Sequence, residues 1–167
     1  MSTRDKAHAE LERVIDEVAR SYGAQRTIDS LESAALPNSR KVVEALGHLV
    51  HVMYMGFYST RTLTGSNLRH YIGEHLYEAF EILVGQVARA VVYRRLGGGE
   101  PETQDLEWSD HAVTVVFSKL AGVREMLHMD VEAAYQGDPA AKNVEEVIFS
   151  YPAIEAITVY RIAHEFY

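Results

Sequence analysis

A chain of 167 residues with 47% hydrophobic content can form one domain with a buried core, or a compact domain carrying an arm. Sixteen Lys and Arg stand against 24 Asp and Glu, and the resulting net charge of −8 argues against a nucleic-acid surface. With no cysteine, disulfides, Cys-ligated zinc and a thiol nucleophile are excluded, and with no apolar signal core and no run near the ~18 apolar residues of a membrane span, the default expectation is cytoplasmic.

Ser2 or Thr3 can cap a first helix whose apolar positions are Leu11, Val14, Ile15, Val18 and Tyr22, with Gly23 as its stop. Ile28, Leu31 and Ala35 predict a weaker helix closed by Pro37. Asn38 or Ser39 begins the next, with a stripe of Val42, Leu46, Leu49, Val50, Met53 and Phe57. The polar stretch 59–66, centred on Gly65, reads as a loop between antiparallel helices. Asn67 is the expected cap of the longest helix, striped by Leu68, Ile72, Leu76, Phe80, Leu83, Val87 and Val91. Arg94 and Arg95 suit the negative end of its dipole, and Gly97-Gly98-Gly99 ends it.

Residues 97–108 form the clearest linker, rich in Gly and acids and containing Pro101, with Leu106 and Trp108 as anchors. Ser109 or Asp110 predicts a helix through Val113, Val116, Phe117 and Leu120, kinked at Gly122 and continuing to Gln136. Gly137-Asp138-Pro139 stops it, because Pro139 disfavours the α region for Asp138. Asn143 is a good N-cap for a short helix through Phe149. Pro152 opens a last helix through Ile157, Arg161 and His164. Val113 to Phe117 has β-branched character, but its helical flanks outweigh it. The fold class is all-α, with antiparallel helices and a long central hairpin.

The series Asp130-Val131-x-Ala133-Ala134-Tyr135, Gly137-Asp138-Pro139-Ala140-Ala141, Tyr151-Pro152, Glu155-Ala156 and Tyr160-Arg161-Ile162-Ala163-His164 resembles the helical segment of bacterial serine O-acetyltransferases. It covers about a quarter of the chain. In that family the segment leads into a left-handed β-helix of tandem hexapeptides, which carries the catalytic His, its Asp partner and the acetyl-CoA site. Fragments such as Tyr71-Ile-Gly-Glu and Ile82-Leu-Val-Gly occur singly, so no hexapeptide array is hidden upstream. The resemblance implies a truncated enzyme with residues 1–96 as an N-terminal helical extension, 97–108 as linker and 109–167 as the helical segment before the missing domain. Residues 1–108 match the long N-terminal extension of some members in length and pattern, without a fixing motif.

The resemblance implies no catalytic residue and no cofactor in this chain, with acetyl-CoA and L-serine as substrates of the full-length enzyme and homo-oligomerisation through the N-terminal helices. It also implies that Asp138 projects toward the active site and helps to bind serine; read from spacing alone, Asp138 caps a helix starting at Pro139. Asp130 is a secondary candidate, or a helix-stabilising acid. Arg161 and His164 either orient the domain junction or are structural. Tyr54, Tyr58, Tyr71, Tyr77 and Tyr93 line a pocket or pack a core. Glu44/His48, His48/His51, His70/Glu74 and Glu125/His128 share helix faces, but only Glu125-Met-Leu-His128 has the Glu-x-x-His form of a di-iron bundle, so no metal site is expected. A stand-alone oligomerisation or binding module and a helical-bundle metalloenzyme are the competing functions.

Overall fold

The computed structural model describes residues 3–22 and 36–167. Among them the chain is all-α: seven helices and no strand. It divides into two compact units, one ending at Ser33 and one beginning at Ala34. The first is represented by α1, Thr3–Ser21. Its predicted stripe is correctly spaced, yet Leu11, Val14, Ile15 and Val18 are all exposed and no residue of the helix is buried. The expected cap at Ser2, the stop at Gly23 and the helix at Ile28, Leu31 and Ala35 lie outside the described residues.

The second unit holds α2 (Ser39–Met53), α3 (Leu68–Leu96), α4 (Thr103–Ser118), α5 (Leu120–Gly137), α6 (Val144–Ser150) and α7 (Pro152–His164). Asn38 starts α2 by accepting the N–H groups of Arg40 at 2.9 Å and Lys41 at 3.3 Å on its side chain. The buried positions Ala45, Leu49, Val52 and Met53 recur at helical spacing and face the core. The helix ends at Met53, ahead of the predicted Phe57, and the chain turns through Gly56 at φ +89°. A side chain is strained in that left-handed conformation and glycine is not.

α2 and α3 form the expected antiparallel hairpin. Asn38 meets Gln86, His48 meets His75 and His51 meets Tyr71, so partner numbers fall along α3 as they rise along α2. Asn67 does not cap α3 with its side chain. It braces the preceding loop instead, accepting the Thr64 N–H at 2.8 Å and donating to the Thr62 carbonyl at 3.0 Å. Gly97 ends α3 at φ +76°, with its N–H on the Tyr93 carbonyl at 2.8 Å.

α4 begins at Thr103, six residues before the predicted Ser109, so the second half of the 97–108 stretch is helical. Acidic residues that resemble a polar linker build a capping box, in which the Glu102 N–H donates to Asp105 at 3.0 Å. Asp105 is buried, and Arg95 meets its carboxylate at 3.0 Å. Leu106 and Trp108, the expected anchors, are exposed. The break between α4 and α5 falls at Lys119, not at Gly122. α5, α6 and α7 close the unit, and Val113, Val123, Leu127, Val147, Ile154 and Ile162 join Leu49 and Leu83 in one apolar core.

Candidate functional site

The Gly137-Asp138-Pro139 turn lies where α5 ends. Asp138 adopts φ −113°, ψ 101°, the extended conformation that a following proline imposes. No helix begins at Pro139: residues 139–140 are a turn and residues 141–143 are irregular. The helix-capping reading of Asp138 is therefore not the one adopted. Its carboxylate closes an Asx turn instead, with Oδ1 accepting the Ala140 N–H at 2.9 Å. Oδ2 accepts the Tyr151 hydroxyl at 2.6 Å.

Tyr151 is placed by the next two elements. Asn143 caps α6 through the Glu146 N–H at 2.8 Å, as its spacing predicts. Pro152 occupies the first turn of α7, leaving Tyr151 as the residue shared by the end of α6 and the start of α7. The phenol therefore projects from a fixed junction back across 13 residues to Asp138. The Tyr151 hydrogen bond first, and the Ala140 N–H second, hold the Asp138 carboxyl below the usual carboxylate range. Reciprocally, the carboxylate pushes the Tyr151 phenol up to about 12. At neutral pH the pair is an anionic carboxylate and a neutral phenol.

Asp130, the secondary candidate, is engaged elsewhere. Arg161 grips it with two parallel bonds, Nε to Oδ2 and Nη2 to Oδ1, both at 2.9 Å. That fork ties α5 to α7 and pairs the Asp130 carboxylate with a cation, whereas both donors to Asp138 are neutral. Arg161 also reaches the Met126 sulfur at 3.6 Å. His164 stacks on Tyr160, with ring centroids 5.7 Å apart, on the exposed side of α7.

A cavity of about 500 Å³ opens between α2 and the α6–α7 junction, with Val50, His51, Tyr54, Tyr58, Tyr151 and Glu155 among its walls. Two of the predicted pocket tyrosines line it. Tyr71 is buried in the hairpin, whereas Tyr77 and Tyr93 are exposed. Thr158 donates to the Ile154 carbonyl at 2.6 Å, so Tyr54 is the donor in the buried 2.7 Å bond between Tyr54 and Thr158.

Of the paired histidines, His48, His51 and His128 take protein partners. His48 Nδ1 and His75 Nδ1 are 3.1 Å apart, and His51 stacks on His75 at 4.4 Å. Glu44 pairs with Lys41, Glu74 with Arg61, and His128 faces Glu132 at 3.7 Å. Among the described residues no group of three or more His, Asp or Glu is arranged to hold a metal ion, and no helix is long and apolar enough to cross a membrane. Sequence reasoning missed Tyr151 as the hydrogen-bond partner of Asp138. Its signal was the Tyr-Pro step at the head of the last helix, visible as punctuation but not as a partner for Asp138.

No family model matches the chain. It is 31% identical over 172 aligned residues to a plasmid-encoded serine acetyltransferase of Synechococcus elongatus, an alignment that covers 90% of this chain and 53% of that protein. It is 42% identical over 43 residues to a serine acetyltransferase of Bacillus pumilus, covering 26% of this chain and 20% of that protein. The chain thus spans about half the length of the first relative, and the match lies in that relative's N-terminal part.

Proposed function

We propose that this chain, a homologue of the serine acetyltransferases over 90% of its length, is the N-terminal helical part of a serine O-acetyltransferase, where it serves assembly and forms one wall of the serine site. The parent reaction moves the acetyl group of acetyl-CoA to the hydroxyl of L-serine, giving O-acetyl-L-serine for cysteine synthesis. In the family a histidine of the β-helix domain takes the hydroxyl proton as general base.

The observation that carries the reading is the held carboxylate of Asp138. A serine ammonium needs a fixed negative charge, and Asp138 has both oxygens restrained and lone pairs to spare at the end of α5. In the full-length enzyme, Asp138→Asn should lower kcat/KM for serine roughly 10- to 150-fold and leave the KM for acetyl-CoA unchanged. Asparagine keeps the Asx turn and the size of the side chain while removing the charge. Wild-type serine kinetics in that variant would remove Asp138 from the site.

Two further outcomes belong to the same proposal. Incubated with acetyl-CoA and L-serine, the 167-residue chain should release no CoA above background; a turnover on the order of 1 per second would overturn its assignment as a non-catalytic part. It should also self-associate as a dimer through its N-terminal helices. A strict monomer by light scattering at about 100 µM counts against the assembly role.

A further inference from the structure

We infer that Tyr151 is a positioning residue for substrate binding: its hydroxyl fixes the plane of the Asp138 carboxylate so that the free lone pairs face an amino-acid ammonium. The inference rests on the reading of Asp138 as a serine ligand. A carboxylate on a turn has two side-chain torsions to settle. The Ala140 N–H, two residues on, restrains Oδ1 at 2.9 Å but allows the group to pivot about that contact. The Tyr151 hydroxyl at Oδ2, 2.6 Å away, is a short charge-assisted bond from a different element and removes the pivot.

The root of Tyr151 is itself immobilised. Its N–H reaches the Val147 carbonyl at 3.4 Å, closing α6, and its carbonyl accepts the Ile154 N–H at 3.0 Å, opening α7. Pro152 fixes the backbone immediately after it. The ring forms part of the wall of the cavity shared with Tyr54 and Glu155. Of the roughly four acceptor positions on a carboxylate, two are occupied, which leaves about two for a ligand. Because the group is ordered before substrate arrives, binding does not have to supply that ordering.

The test is Tyr151→Phe beside Asp138→Asn, both in the full-length enzyme that carries this segment. Phenylalanine keeps the ring, the cavity wall and the backbone junction, and removes only the donor. The expected result is a drop of about tenfold in kcat/KM for serine, carried by KM, with kcat and the KM for acetyl-CoA unchanged. The acid limb of the serine pH profile should move upward in Tyr151→Phe, because the bond that depresses the Asp138 carboxyl is gone. Wild-type serine constants in Tyr151→Phe beside an impaired Asp138→Asn overturn the inference and leave Asp138 in place. Wild-type constants in both variants overturn the serine role of Asp138, and the inference with it. Equal losses toward serine and acetyl-CoA assign Tyr151 to the fold and also overturn the inference.

Discussion

The α2–α3 hairpin and the α5–α7 pair are both antiparallel helix pairs, and each is held in register by rungs of polar contacts, but of opposite kinds. The hairpin rungs are neutral: Asn38 to Gln86 at 2.7 Å, His48 to His75 at 3.1 Å and His51 to Tyr71 at 2.7 Å. The α5–α7 rungs carry charge: Lys119 to Glu165 at 2.9 Å, Arg161 to Asp130 at 2.9 Å and Tyr151 to Asp138 at 2.6 Å. Neutral rungs suit a packed interface, where an unpaired charge is costly. Charged rungs fix direction, and one of them leaves a carboxylate with spare acceptor capacity at the end of the ladder. Asp138, the proposed serine ligand, stands at the second kind of pair.

If the two pairs share one core, breaking that core should unfold them together. Leu127, on α5, is 1% exposed and belongs to the same cluster as Leu49 and Leu83 of the hairpin. Leu127→Ala should cost about 2–5 kcal/mol in urea denaturation, as a single transition. Separate transitions for hairpin and α5–α7 probes would break the comparison at its root. The link between the pairs should matter next. Arg124 of α5 donates to the Val52 and Met53 carbonyls at 3.2 and 3.3 Å, satisfying the end of α2 with a cation. Arg124→Met should lose about 1–2 kcal/mol by the same measurement. A smaller cost, about 1 kcal/mol, is expected for Tyr54→Phe, which removes the donor to Thr158 but leaves the Thr158 bond to Ile154 intact.

The parts legible in the sequence are those governed by neighbours along the chain. Pro139 extends Asp138, Asn143 caps α6, Pro152 opens α7 and Gly97 closes α3, because each acts within a few residues through its own backbone preference. Where a local signal had two uses, sequence reasoning failed. Glu102 and Asp105 look like linker acids until one is seen capping α4 and the other taking Arg95. Asn67 could cap or brace, and the loop at Thr62 and Thr64 claimed it. The site itself divides the same way. Asp138 could be singled out only through the family resemblance of its turn, and its partner Tyr151 lies 13 residues off and is brought back by packing α7 against α5. The imidazole cluster was visible as helix-face pairs within α2, yet its central contact, His48 to His75, crosses the hairpin.

The smallest effect is the one that separates the two pairs most directly, because it uses protons alone. His51 and His75 are both lowered from the ordinary histidine value, chiefly by burial, with the neighbouring imidazoles adding to it. Around them stand His48 and Tyr58 on the α2 side, Tyr71 and Glu74 on α3, and Arg61 from the loop; Glu74 opposes the shift on His75 and Arg61 reinforces it. A histidine whose folded value is depressed binds fewer protons folded than unfolded, so stability rises with pH. The contribution is complete above the unfolded value of about 6.5 and is lost as pH falls through that value toward the folded ones. In the α5–α7 ladder, Asp138 is held below the usual carboxylate range and so stays ionised across this window. Thermal midpoints should therefore fall from pH 7.5 to pH 5.5 in the wild-type chain, and the fall should be reduced in a His51→Gln, His75→Gln double variant. Both rings are only partly buried, which keeps the effect below those of the core and linking substitutions. Amide exchange read along the chain at the two pH values gives the sharper check: protection should drop in α2 and α3 ahead of α5 and α7. The reverse order, or a midpoint that rises on acidification, would show that the charged ladder and not the imidazole cluster is the acid-sensitive half of the molecule.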